Sequence, residues 1–512
     1  MSQRSWWGWG LADRALTDSE IHALAERVGP LLPLDGAVTP VPPVPALPPP
    51  RVRPPASLAS AVSGADADRV AHAYGKAYRD VVRALAARLD NPPDLVARPD
   101  TEAAVAALLA WAGDAGIAVV PYGGGSSVVG GVEYRGDGPW LSMDLGRLAG
   151  VTDVDETTLT ARAGGGTFGP ALEAGLKPHG LTLRHFPQSF EFSTVGGWIA
   201  TRAGGHFATG PTHIDDLVQA VRVVTPIGVS ESLRVPASGA GPAPDRLFLG
   251  SEGILGVITA AWLRVRPRPR RTAAATIRFD GDTAGLAAAR EIVHSGLQPA
   301  NCRLLDPVEA ALQAGVRDGG ARLLLAFESA GAPVDDLAAH AVAICRAHGG
   351  TTEPTGSSTS GAWRESFLRA PYVRDALVHL GVLIETVETA CTWDRFPALH
   401  AAVVRAARSA GPRGATHVTY RVTHLYPDGP APYFTILAAA PRGGEVACWD
   451  AIKTAVNDAI AANGGTVTHH HAVGRDHRPW YDAERTAPFD AALRAAKAAL
   501  DPRGILNPGV LI

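Results

Sequence analysis

Val119-Val120-Pro121-Tyr122-Gly123-Gly124-Gly125-Ser126-Ser127-Val128-Val129-Gly130-Gly131 is the stretch whose reading decides the fold. An apolar strand over 117–120 runs into three consecutive glycines and two serines. Glycine admits positive φ and lets backbone N–H groups come close to a ligand. Successive free N–H groups form a concave anion site, and serine hydroxyls add donors. Such a loop grips a pyrophosphate without a lysine. The Lys-Ser/Thr ending of a nucleotide-hydrolase phosphate loop is missing. So is the G-x-G-x-x-G spacing of a dinucleotide fingerprint. The plain alternative is a surface turn, because glycine clusters commonly mark loops.

Outward from this loop the chain alternates strands and helices over 91–268. Short strands are expected at 95–97, 117–121, 140–145, 159–163, 218–225 and 256–265, with a helix at 171–176. Asp100 or Thr101 caps another helix, with Val105, Leu108, Leu109 and Ala112 at helical spacing. After a basic hinge (Arg264, Arg266, Arg268, Arg270 and Arg271), a second domain is expected over 269–465. Its strands at 276–279, 323–328, 418–425 and 433–439 alternate with helices at 286–293, 334–347 and 449–463, which predicts an antiparallel sheet covered by helices. The whole reads as α+β. Residues 466–512 form a closing segment with a helix at 489–500, expected to return to the active site. Residues 1–90 are an extension: clustered Trp6, Trp7 and Trp9 need a docking surface, a proline-rich strap spans 38–55, and a helix spans 65–88. No internal repeat is present.

The 512 residues point to roughly two or three domains. A hydrophobic share of 46% provides for a large core, and a net charge of −3 gives no sign of a nucleic-acid partner. Cys302, Cys345, Cys391 and Cys448 are scattered, which argues against a disulfide framework or a zinc site and fits a reducing compartment. No signal core and no stretch of membrane-spanning length is found. A cytoplasmic homodimer is expected, with peripheral membrane contact left open.

Three further clusters lie in the first domain: Gln188-Ser189-Phe190-Glu191-Phe192-Ser193-Thr194-Val195-Gly196-Gly197-Trp198, Thr201-Arg202-Ala203-Gly204-Gly205, and Gly250-Ser251-Glu252-Gly253-Ile254-Leu255-Gly256-Val257-Ile258-Thr259. Four such clusters in one domain suggest backbone donors wrapped along an extended cofactor. In order, spacing and wording they resemble the FAD-binding domain of the vanillyl-alcohol oxidase/p-cresol methylhydroxylase flavoproteins. That resemblance implies a two-part FAD domain. It implies FAD contacts from Pro121, Tyr122, Gly123, Gly124, Gly125, Ser126 and Ser127, then Gln188, Ser189, Glu191, Ser193, Thr194 and Gly197. Thr201, Arg202 and Ala203 follow, then Gly250, Ser251, Glu252, Gly253, Leu255, Gly256 and Ile258. With no His or Cys in the glycine loop, FAD is expected to be held noncovalently.

Within that superfamily the chain resembles the alkyldihydroxyacetonephosphate synthases from Trp7-Gly8-Trp9-Gly10 to its C-terminus. The segment 190–198 and the setting of His469-His470-His471 carry the likeness. It implies a catalytic role for Arg303 and for the three histidines, and phosphate binding by Arg374. The family's proton-handling tyrosine falls on Tyr433, given a one-residue gap before Arg442-Gly443; without the gap Phe434 takes the position. Three features depart from the family: Gln188 replaces Asp, Ile254 replaces Thr, and neither a long N-terminal extension nor a peroxisomal address is seen. These bear on substrate rather than on fold.

Plainer readings stand beside these. Arg303 and Arg374 alone would read as surface arginines, and Tyr433 as strand core with a satisfied hydroxyl. The histidines read as a metal site, a solvated turn or catalytic imidazoles. In an extended segment His469 and His471 share one face and His470 points away, a thin metal-ligand set, so no metal is expected. Cys302 reads as an inert buried thiol.

The resemblance implies exchange of the acyl chain of acyl dihydroxyacetone phosphate for a long-chain alcohol, with no net redox change. The second reading is an FAD-dependent dehydrogenase or oxidase of a 2-hydroxy acid or alcohol. Either way the ligand is a small molecule or lipid bearing phosphate or carboxylate. A flavin binder without catalysis is the third reading, disfavoured by so many polar groups aimed at one site.

Overall fold

The computed structural model describes residues 4–354 and 358–512. The glycine loop springs from a small sheet in which Leu95–Ala97, Trp140–Asp144 and Ala118–Tyr122 run parallel, with Val62–Ser63 antiparallel at one edge. Helix Glu102–Ala115 is the crossover from Leu95–Ala97 to Ala118–Tyr122, two parallel strands that leave room for Trp140–Asp144 between them. Thr101 caps that helix by accepting the Ala104 N–H, Gly116 ends it at φ 64°, and Val105, Leu108, Leu109 and Ala112 form the buried face. Strand Ala118–Tyr122 stops at Gly123, so the loop lies beyond the carboxyl end of a parallel strand, the usual ligand position in such sheets. The far end of the chain joins here. Val119 N–H donates to Ile505 O at 2.8 Å, and Asn507 N–H donates to Val119 O at 2.8 Å.

A second sheet orders Val151–Asp155, Thr160–Gly164, Val257–Arg264, Val218–Thr225 and Gly228–Glu231, all antiparallel. Helix Val195–Thr201 packs on it through Val195, Trp198 and Ile199, capped by Thr194. The cluster over 188–198 is helical from Val195 onward.

The third sheet has seven strands, in the order Thr351–Thr352, Arg271–Phe279, Ala321–Ser329, Asn301–Leu305, Thr416–Leu425, Pro430–Ala439 and Val382–Glu388. Every pairing is antiparallel, as the sequence predicts. Helices Asp282–His294, Asp335–Ala347, Phe396–Ala410 and Glu445–Ala462 close the largest core against it. The mixed helix-and-sheet class read from the sequence is therefore the observed one.

Two details depart from the reading or sharpen it. Residues 65–88 form two helices, Asp66–Ala71 and Tyr78–Leu85. The break brings Gly75 against the glycine loop, where a Cβ would lie 2.3 Å from Ser127 O, and lets Lys76 N–H donate to that oxygen at 2.6 Å. The tryptophan-rich segment docks on helix Ser358–His379: Trp9 N–H donates to Asp375 Oδ2 at 2.6 Å and Leu11 N–H to Tyr372 OH at 3.3 Å. The four cysteines are free. No helix among the described residues is long and apolar enough to cross a membrane.

Helix Pro307–Ala314, which carries Glu309 toward the site, is tied to the sheet by its N-cap. Asp306 accepts the Glu309 N–H at 2.6 Å, the Thr419 hydroxyl at 2.5 Å and the Tyr420 N–H at 2.9 Å. Asp306→Ala removes the cap and strands two more buried donors, so a loss of about 2 kcal/mol or more is expected. It is read as a lower urea midpoint with unchanged slope; an unmoved midpoint would show that the cap carries no stability.

Candidate functional site

A cavity of about 910 Å³ lies between the first two sheets and the seven-stranded sheet. On the glycine-loop side it is lined by Pro121, Tyr122, Gly123, Gly124, Gly125, Ser126 and Ser127. Gln188, Ser189, Ser193, Thr194, Gly197, Thr201 and Ala203 follow, then Glu252, Gly253, Gly256 and Ile258. Facing them are Arg303, Arg374, Tyr433, His470 and His471. Residues far apart in sequence thus meet around one space.

The loop fits a diphosphate. Among the described residues no protein acceptor meets the N–H groups of Gly124, Gly125, Ser126 or Ser127, a row of donors of the kind an anionic ligand fills. Gly124 is pressed on the neighbouring segment so closely that a Cβ would sit 1.7 Å from Phe192 O. The cavity's size, at the upper end of the usual ligand range, suits an extended cofactor.

Six residues implied by the resemblance do not line the cavity. Glu191 is exposed beside Arg14 at 3.7 Å. Arg202 turns outward to Asp215 at 2.8 Å. Gly250 closes a turn at φ 77°, Ser251 donates its hydroxyl to Phe248 O, and Leu255 is core. His469 lies behind His470. Glu252 does line the cavity, but its carboxylate is engaged elsewhere: it accepts the N–H groups of Val473 at 2.9 Å and Gly474 at 2.8 Å. Burial pushes its pKa up to about 7 although those two N–H groups pull it down.

The histidine segment is a bend, so the face assignment that holds for an extended run does not apply. The cause is Glu388, at the end of strand Val382–Glu388. This buried carboxylate accepts N–H from His469 at 2.6 Å, His470 at 3.1 Å and His471 at 2.8 Å, and the Thr468 hydroxyl at 2.5 Å. Wrapping three amides around one carboxylate turns His470 and His471 into the cavity and His469 away from it. Burial drives His470 and His471 down to about 3 and His469 well below its ordinary value. All three are neutral near pH 7.

Tyr433 sits opposite Glu388 in the strand register. Its ring lies near-parallel to His470 at 6.0 Å and edge-on to His471 at 5.5 Å. Strand alternation sends its neighbour Phe434 into the core on the other face. Arg374, from helix Ser358–His379, stands 3.6 Å from Glu385, and its buried Nε meets no acceptor among the described residues. Arg303 is buried, and burial lowers its pKa to about 9. Sequence reasoning passed over Arg421. It lines the cavity, stacks 3.9 Å over the Tyr433 ring and donates to buried Glu309 at 2.6 Å. Only a strand pattern that placed Arg421 inward could have signalled it.

His424, also passed over, brings its nitrogens near those of His469 and His470, all within 4.8 Å of one another. The group has the reach of a metal set. Arg303 and Arg421 face it as fixed cations, which opposes a metal cation there.

Fold and site define an FAD-dependent flavoprotein. Residues 93–233 match the family described as FAD binding domain, and residues 268–511 match FAD linked oxidases, C-terminal domain. An alkyldihydroxyacetonephosphate synthase of Caenorhabditis elegans is 30% identical over 483 residues, covering 87% of this chain and 80% of that protein. A solved alkyldihydroxyacetonephosphate synthase superposes with a TM-score of 0.82 at 25% identity, covering 99% of this chain and 98% of the other. p-Cresol methylhydroxylase, at 14% identity with a TM-score of 0.70 over 97% of each chain, shares the fold. The chain belongs to the alkyldihydroxyacetonephosphate synthase family.

The depressed histidines make stability pH-dependent with a definite sign. The unfolded chain protonates His471 below about 6.5, whereas the folded chain resists until about 3. The unfolded state therefore binds more protons between these limits, and stability falls as pH drops through that window. His471→Gln should lose less thermal stability than wild type on going from about pH 7 to about pH 5. An identical loss in both proteins would show that His471 does not stay neutral in the fold.

Proposed function

We propose that this chain exchanges the acyl group of acyl dihydroxyacetone phosphate for a long-chain alcohol. The observation that carries the reading is the convergence on one cavity of a phosphate-ready arginine, an aromatic hydroxyl, neutral imidazoles and an apolar wall. Leu16, Leu24, Val28, Leu377, Ile384 and Leu437 supply that wall, which suits an acyl or alkyl chain. Leu312 and Arg317 also line the cavity, and Leu312 is exposed beside Val308, which supports contact with a lipid surface.

Residues 123–127 and the segment 188–197 would hold FAD noncovalently, and when bound it would supply an electrophilic ring to the substrate. The protein's own groups do the rest. Arg374 offers an unpartnered Nε to the phosphate, a charged two-point contact that guanidinium makes well. Tyr433 takes the proton at the substrate carbon and returns it, with Gln188 Oε1 3.5 Å from its hydroxyl. His471, being neutral, can donate N–H to the carbonyl, and neutral His470 can accept a proton without first losing one. Arg303 faces the leaving carboxylate. The C–O bond to the fatty acid breaks, the alcohol oxygen bonds to the same carbon and releases its proton, and no electrons are gained or lost overall.

The test begins with flavin. Acid precipitation should leave yellow FAD in solution; flavin retained in the pellet would mean a covalent link. Under anaerobic conditions, acyl dihydroxyacetone phosphate plus a long-chain alcohol should give the ether product with no lasting bleaching. Lasting bleaching by a 2-hydroxy acid, with no exchange, would establish the dehydrogenase reading that the oxidase-domain match favours.

Two variants separate the roles. Tyr433→Phe should cut kcat about a hundredfold or more, the scale of a lost general acid/base, with FAD content unchanged. Arg374→Ala should raise KM for the phosphate substrate about tenfold or more, as a lost charged hydrogen bond predicts. Wild-type kinetics in either variant would remove that residue from the mechanism.

A further inference from the structure

Behind His470 runs a chain of hydrogen bonds that leaves the cavity. His470 Nδ1 lies 3.1 Å from His469 Nδ1, and His469 Nε2 lies 2.7 Å from the Tyr426 hydroxyl. That hydroxyl is 2.8 Å from Thr212 Oγ1, which is 3.2 Å from His213 Nδ1. The chain ends where His213 Nε2 meets the backbone oxygen of His469 at 2.8 Å. Tyr426 and His213 are half-buried, while Thr212 is buried between them.

Only one arrangement of protons satisfies every link. A carbonyl oxygen accepts and never donates, so His213 Nε2 carries the hydrogen. In the neutral ring Nδ1 is then the acceptor, and Thr212 donates to it. Thr212 has a single hydrogen, so it accepts from Tyr426. Tyr426 likewise has one, so it accepts from His469 Nε2–H. His469 Nδ1 is then an acceptor, and His470 Nδ1–H donates to it. Glu388 Oε2, 3.4 Å from His470 Nδ1, favours the same tautomer. His470 Nε2 alone is left with an open lone pair, on a ring that lines the cavity.

We propose that Tyr426, Thr212 and His213 are a proton relay between His470 and solvent. The inference rests on the functional reading above, in which Tyr433 handles the substrate proton beside neutral His470, their rings 6.0 Å apart, and His470 exchanges it with solvent. A proton reaching His470 Nε2 displaces the Nδ1 hydrogen to His469 Nδ1. His469 passes its Nε2 hydrogen to Tyr426, Tyr426 passes its own to Thr212, and Thr212 passes its own to His213 Nδ1. His213 then sheds one proton to water. Only N–H and O–H bonds form and break, and one proton leaves for each that enters. Run in reverse, the same relay returns a proton and restores the starting tautomers. Tyr426 and Thr212 touch neither substrate nor the cavity wall, so they act through His470.

The holoenzyme tests this with Tyr426→Phe, Thr212→Val and Thr212→Ser, assayed for alkyl exchange and for deuterium uptake at the substrate carbon from D2O. Tyr426→Phe and Thr212→Val should lower kcat about tenfold or more, with deuterium uptake slowed in step and with KM and FAD content unchanged. Thr212→Ser keeps the hydroxyl and should run near the wild-type rate. Equal behaviour of Thr212→Val and Thr212→Ser overturns the relay, whether both are slow or both are fast. The Thr212 pair decides alone if Tyr426→Phe does not fold. A wild-type protein that performs no exchange overturns the functional reading and the relay with it; an active wild type with active valine variant overturns the relay only.

Discussion

Two buried carboxylates hold the site together. Glu252 and Glu388 come from opposite sides of the cavity, and between them they accept the N–H groups of His469, His470, His471, Val473 and Gly474. A carboxylate inside a protein is costly unless its lone pairs are filled. Here backbone amides fill them, and in doing so they fix the path of the segment that carries the histidines. The cost of burying the charge and the placement of the imidazoles are one interaction. The depressed histidines follow from the same burial, because the bend that satisfies Glu388 also shuts His470 and His471 away from water.

The two sides of the cavity work by different physics. The glycine-loop side offers backbone N–H groups, which carry no net charge and need no long side chain. Its precision comes from close contact, as where the Gly124 backbone rests on Phe192 O with no room for a Cβ. The opposite side offers guanidinium, phenol and imidazole groups set on sheet and helix. Arg421 joins these groups: it is fixed by Glu309 and lies over the Tyr433 ring, so one cation orders the aromatic group while its partner anion restrains the cation. Both members are buried, so loss of either leaves an uncompensated charge.

The glycine loop could be read in the sequence residue by residue, whereas the buried partners that fix the groups opposite it could not, for a physical reason. A loop of consecutive backbone donors is a local object, so Gly123 to Ser127 could be read in one window. Helix Glu102–Ala115 was equally plain, since its cap and buried face repeat at short range. Glu388 carries no such signal. It is one acidic residue at a strand end, and its amide partners lie about eighty residues on. Arg421 and Glu309 meet across 112 residues. The bend at 469–471 could not be told from an extended run, because three histidines have no intrinsic turn preference and the carboxylate that imposes the turn is remote. The helix break at 72–77 had a similar cause, contact with Ser127 rather than a local breaker alone.

The pairing of Val119 with residues 505–507 sets a timetable for biosynthesis. Asn507 lines the cavity and donates its side-chain amide to Gly131 O at 3.0 Å and to Glu252 O at 2.8 Å. The strand that launches the glycine loop therefore lacks one flanking partner until residues 505–507 have been made. Contacts of such long sequence separation form late, because loop closure precedes any reward. An N-terminal domain emerging from the ribosome can build its sheet and helix, but not a finished cofactor pocket. The cofactor pocket is therefore complete only once residues 505–507 have joined the strand that launches the glycine loop.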